Sequence, residues 1–136
     1  MRLRLLLLLL PWLVARAGTC PWLNTATAAG ILDGPVTTVT VDNTSCKFVR
    51  ENGTRVLELR IEVGVPTPRC HTPAVPLKAI GTEAVACSDR PNAEQVIGRV
   101  RDKTFSVRVS TTDHSPQPAL REKARKVAEH VAGILF

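Results

Sequence analysis

Asn52-Gly53-Thr54-Arg55-Val56-Leu57-Glu58-Leu59-Arg60-Ile61-Glu62-Val63 is the stretch that decides the fold. Leu57, Leu59, Ile61 and Val63 alternate with Glu58, Arg60 and Glu62. A period of two puts one kind of residue on each side of an extended chain, so this is a strand with one buried and one wet face. Such strands belong to antiparallel sheets covered on a single side. Asn52-Gly53 just ahead suits a type I′ turn, whose two central residues both need positive φ. A hairpin with residues 45–51 follows, and there Cys46 and Phe48 share a face.

Upstream of that hairpin, residues 36–42 are rich in Val and Thr, with Val39 and Val41 alternating against Thr38 and Thr40. A polar Asn43-Thr44 turn joins them to residue 45. Before them, Asn24 is suited to cap a short helix over Thr25–Leu32, with Leu23 and Ala28 spaced as a hydrophobic staple. Gly34 at the C′ position and Pro35 after it would stop this helix.

Downstream, Pro66, Pro68, Pro73 and Pro76 make residues 64–81 read as one long loop, because proline cannot donate to a sheet ladder. Residues 82–87 form a short strand, and 94–101 with 104–111 a second hairpin across Asp102-Lys103. Phe105, Val107 and Val109 point one way, and Val96 and Val100 face the same core. Beyond residue 118, Leu120, Ala124, Val127, Ala128, Val131 and Leu135 recur at helical spacing. Glu122 with Lys126, and Arg125 with Glu129, are favourable pairs one turn apart. The chain is therefore expected to be α+β: one antiparallel sheet of about five to six strands, with N- and C-terminal helices on its apolar face.

Residues 1–17 read as a signal peptide, which leaves 18–136 as a single domain. Arg2 and Arg4 precede an apolar run over residues 5–14, and Ala15-Arg16-Ala17 supplies a small-x-small cleavage site. The run is about ten residues, against roughly 20 for a membrane-spanning helix, so no membrane span is expected. Without Arg2, Arg4 and Arg16 the net charge falls from +6 to about +3, too mild for a nucleic-acid binder. The mature part also lacks tyrosine and keeps only Trp22, Phe48, Phe105 and Phe136, so bases have little to stack upon.

Cys20, Cys46, Cys70 and Cys87 read as a disulfide framework in an exported chain, with three connectivities open. Nearest-neighbour pairing favours Cys20–Cys46 and Cys70–Cys87, each bridge contributing about 3 kcal/mol. The competing reading makes Cys20 a lipid-attachment residue. Ala17-Gly18-Thr19 fits that poorly, since a lipobox has Leu three residues before the cysteine and Gly, Ala or Ser immediately before it.

No metal, cofactor or catalytic site emerges. His71, His114 and His130 have no paired-ligand spacing, and Ser106 and Ser110 sit in no G-x-S-x-G elbow. Glu58 and Glu62, with Arg60 between, read as a solvated stripe. Arg99, Arg101, Lys103 and Arg108 read as an anionic-partner surface or, more simply, as cross-strand partners for acids such as Glu58 and Glu62. Asn43-Thr44-Ser45 and Asn52-Gly53-Thr54 have the form of glycosylation sequons, or of ordinary turns. The candidate binding loop is the proline-rich segment, where Arg69, His71 and Lys78 offer positive, hydrogen-bonding groups.

Cys20-Pro21-Trp22-Leu23 with its Ala-rich helix, Ser45-Cys46-Lys47-Phe48, Ile80-Gly81-Thr82-Glu83-Ala84 and the terminal Lys123-Ala124-Arg125-Lys126-Val127-Ala128-Glu129 carry a resemblance of layout. The chain resembles a class of small secreted or lipid-anchored bacterial envelope proteins known as domains of unknown function. The resemblance implies bacterial export and an antiparallel sheet between terminal helices, and no mechanism. The expected function is a secreted or periplasmic, non-enzymatic binding module for an unknown protein or small molecule. The alternatives are an accessory enzyme or redox protein using the Cys70-His71 loop, and an envelope protein lipid-anchored through Cys20.

Overall fold

The computed structural model describes residues 19–40, 42–52, 55–64, 69–112 and 119–136. The expected signal peptide, Pro66, Pro68 and His114 lie outside the described residues. Helix α1 spans Thr25–Leu32, and the Asn24 side-chain oxygen accepts from the Thr27 amide at 2.7 Å, as its sequence position requires. At the other end Asp33, and not Gly34, takes the left-handed conformation (φ 61°, ψ 40°). Aspartate tolerates this region, and the Gly34 amide then donates to Ala29 O at 3.0 Å to close the helix.

The last turn of α1 carries no basic residue of its own. Its negative end is met by cations from distant elements instead. Arg50 donates to Leu32 O at 2.5 Å, and Lys123 donates to Ile31 O at 3.1 Å and to the Asp33 carboxylate at 2.6 Å. The Lys123 hydrogen bond and charge hold the Asp33 carboxyl below the usual carboxylate range.

Seven strands follow: β1 (Thr37–Thr40), β2 (Ser45–Asn52), β3 (Arg55–Val63), β4 (Val75–Leu77), β5 (Glu83–Ser88), β6 (Ala93–Val100) and β7 (Lys103–Thr111), and then helix α2 (Ala119–Leu135). They form one antiparallel sheet in the order β1-β2-β3-β7-β6-β5-β4. The strand beyond the expected five to six is β4, inside the segment read as loop. Pro76 sits within it, opposite Val85. Proline is tolerated there because β4 is the edge of the sheet, where a missing amide costs no ladder bond on the outer side.

Asn52 pairs with Arg55, so Asn52 belongs to the β2–β3 ladder, and Gly53, expected beside it in the turn, lies outside the described residues. The second hairpin turn sits one residue before its expected place. Val100 pairs with Lys103, and Arg101 takes positive φ (57°) in the second turn. Its amide donates to Thr82 Oγ1 at 3.0 Å and its carbonyl accepts from Arg99 at 2.5 Å, which fixes the turn on residues 101–102.

The alternation in β3 delivers Leu57, Leu59, Ile61 and Val63 to one buried face. In register with them lie Phe48 on β2, then Phe105, Val107 and Val109 on β7, and Val96 on β6. Helix α2 covers β6 and β7, while α1 packs on β2 and against α2. Ala132 completes the buried stripe of α2 and Leu135 is only partly buried. Arg125 bridges Glu122 and Glu129, so Glu122 pairs with Arg125 and not with Lys126. Gly98 faces Phe105 across the β6–β7 ladder, and a Cβ there would stand 2.4 Å from the ring.

Cys20–Cys46 and Cys70–Cys87 are the two disulfides, with Cα separations of 5.8 Å and 5.9 Å. They place the chain in a non-reducing compartment. Among the described residues no helix is long and apolar enough to cross a membrane.

Candidate functional site

The face of the sheet away from the helices is ordered in rows. Antiparallel register aligns Lys47, Arg60, Arg108, Gln95 and Cys87 across β2, β3, β7, β6 and β5. Three cations thus stand directly opposite one another on neighbouring strands. Like charges so placed destabilise a sheet. Each is partly balanced by an acid: Lys47 Nζ lies 3.9 Å from Glu58, Arg60 Nε 3.0 Å from Glu62, and Arg108 Nε 3.2 Å from Asp89.

Arg60, Glu62, Asp89, Gln95, Ser106 and Arg108 line a hollow of about 390 Å³ on this face. Gln95 and Ser106 are each only 5% exposed despite facing away from the helices. Neither side chain hydrogen-bonds another described residue, which leaves one amide and one hydroxyl inside the hollow. The Arg108 Nε–H is likewise buried without an acceptor: Asp89 is near enough for an ion pair but off the hydrogen-bond direction. A second hollow of about 370 Å³, reaching Glu58 and Asn92, shares Arg108 with the first.

The topology explains why this face is not simply open. Four antiparallel steps separate β3 from β4, so the two strands run parallel, and their connection must cross one face of the sheet. The helices occupy the apolar face. Cys87 sits in the row of Gln95, and its bond to Cys70 ties the crossover to the opposite, polar face. Thr72 Oγ1 adds a hydrogen bond to Ser88 O at 3.0 Å.

The three residues singled out on the proline-rich loop do not converge. Arg69, His71 and Lys78 are all exposed. Arg69 and His71 flank Cys70 near the Ser88 end of β5, whereas Lys78 follows Leu77, which pairs with Ala84 at the other end. The basic residues of the second hairpin also separate: Arg108 belongs to the central row, while Arg99 lies 3.3 Å from Glu83 beside the turn that holds Arg101. The acids that Arg99 and Arg108 meet are thus Glu83 and Asp89, and not Glu58 and Glu62, which Lys47 and Arg60 take.

Gln95 and Asp89 escaped the reading of the sequence. Alternation gave the wet side of β3 and of β7 separately, but nothing local says that these strands are neighbours. The Arg60–Arg108 pair exists only through that adjacency. His130 is exposed on α2 and, with Trp22 and Ile134, borders a further shallow hollow of about 520 Å³ beside the start of α1. Among the described residues no group of three or more His, Cys, Asp or Glu is placed to hold a metal ion. Compared with known protein families, curated proteins and solved structures, the chain matches none.

Proposed function

We propose that the chain is an exported, non-enzymatic binding module that takes a small ligand onto the polar sheet face beside the β3–β4 crossover. Export rests on the signal-like residues 1–17 and agrees with the two disulfides. The observation that carries the binding role is the Arg60–Arg108 pair, held directly opposite over a polar hollow with Gln95 and Ser106 at its floor. A sheet designed for stability alone would alternate charges here, and stability given up at a surface is a common mark of function. The Cys70–Cys87 bond ties Cys70, ahead of β4, to the end of β5, which reduces the ordering cost of binding beside it.

Thiol chemistry at Cys70-His71 is disfavoured because the Cys70 sulfur is bonded to Cys87, and a thioether to lipid at Cys20 because that sulfur is bonded to Cys46. The test is a thermal-shift screen of small polar compounds against wild type and an Arg60→Gln/Arg108→Gln variant. A compound at 100 times its Kd stabilises by about 2.7 kcal/mol. Compounds that raise the wild-type Tm and leave the variant unmoved support the proposal. If none does, or if all act equally on both proteins, the polar face is not the binding site.

A further inference from the structure

We infer that the group recognised in this hollow is a singly charged oxyanion, a carboxylate on a small molecule, clamped between Arg60 and Arg108. The inference rests on the polar face being the binding site. Arg60 meets Glu62 through Nε, and Arg108 faces Asp89 through Nε. Their terminal amino groups make no hydrogen bond to another described residue; the two residues pair directly across β3 and β7, and both side chains line the same hollow. A guanidinium whose terminal amino groups are open to the hollow matches the flat, two-oxygen geometry of a carboxylate, which accepts two parallel N–H bonds from one such fork.

The surrounding groups set the charge of the ligand. The hollow contains two guanidiniums and two carboxylates, so it is formally neutral when empty. One added negative charge is met by donors already in place, including the Gln95 amide, the Ser106 hydroxyl and the buried Arg108 Nε–H that has no acceptor. A dianion would bring the formally neutral hollow to two negative charges, against one for a monoanion, and would set the second charge against Glu62 or Asp89. The chemistry therefore selects a monocarboxylate over a dianion such as phosphate at pH 7.5. The remaining volume of the hollow is enough for a few further heavy atoms, and its lining is polar, which favours a hydroxylated or amide-bearing body.

The experiment titrates isotope-labelled full-length mature protein with acetate, lactate, succinate and inorganic phosphate at pH 7.5, with ionic strength held constant by sodium chloride. Chemical shifts of the Arg60 and Arg108 Nε–H groups and the Gln95 amide report binding. Acetate and lactate should give saturable shifts at these groups, tighter than succinate or phosphate. Arg108→Gln should weaken them about tenfold or more, the loss expected for one charge-assisted hydrogen bond. Gln95→Leu is the second variant, which keeps both charges and should weaken lactate more than acetate. Tighter binding of phosphate or succinate, or shifts that persist unchanged in Arg108→Gln, would overturn the monocarboxylate assignment. If these anions give no saturable shift while the thermal-shift screen still yields Arg-dependent ligands of other chemistry, the oxyanion is wrong and the site stands. If neither experiment yields an Arg-dependent ligand, the site itself falls.

Discussion

At the scale of the residue, the most constrained position is a glycine inside a strand. Gly98 pairs with Phe105, and both are buried. The ring occupies the space a Cβ would need and cannot swing aside, because Phe105 is fully enclosed by the core. Gly98→Ala should therefore lower stability by about 1–3 kcal/mol, the usual cost of overpacking, although alanine is a better strand residue than glycine. Urea denaturation of the two proteins measures this, and an unchanged midpoint would show that the ring has room to move. Asp33 illustrates the same dependence on distant neighbours. Its left-handed backbone was unreadable locally because Gly34 and Pro35 next to it carry the stronger stop signals, while the Lys123 that steadies its carboxylate lies 90 positions away.

At the scale of the element, what was legible followed periodicity. The α1 limits and cap, the two-faced character of β3, and the buried stripe of α2 all rest on signals within a few residues of each other. Strand β4 was hidden because Pro76 argues against a strand unless the strand is known to be an edge, and that depends on the whole sheet. Helix α2 offers a graded test. Val127 is fully buried against the sheet, whereas Leu135 is only partly covered at the end of the helix. Val127→Asp buries a carboxylate with no partner and should abolish the cooperative melt or lower it severely. Leu135→Asp should fold with a modest loss, of roughly 1 kcal/mol. Equal effects, measured by circular dichroism on heating, would contradict the packing of α2.

At the scale of the whole molecule, two antiparallel meanders, β1-β2-β3 and β4-β5-β6-β7, meet along the β3–β7 seam. The apolar side of the seam is the core under α2, and its polar side brings Arg60 opposite Arg108. Local pattern could foresee the β1-β2-β3 meander, the β6–β7 hairpin and both disulfides, which join consecutive cysteines of the chain. It could not foresee the seam, because long-range pairing leaves no trace in a single sequence, and the candidate site is built on the seam. The central claim is that Arg60 and Arg108 oppose each other at a cost to the fold. A double-mutant cycle on Arg60→Gln and Arg108→Gln, by chemical denaturation without added ligand, tests it most directly. The account predicts a repulsive coupling of roughly 0.2–1 kcal/mol, so that each substitution is more favourable when the other arginine is present. A coupling of zero or of the opposite sign would contradict it.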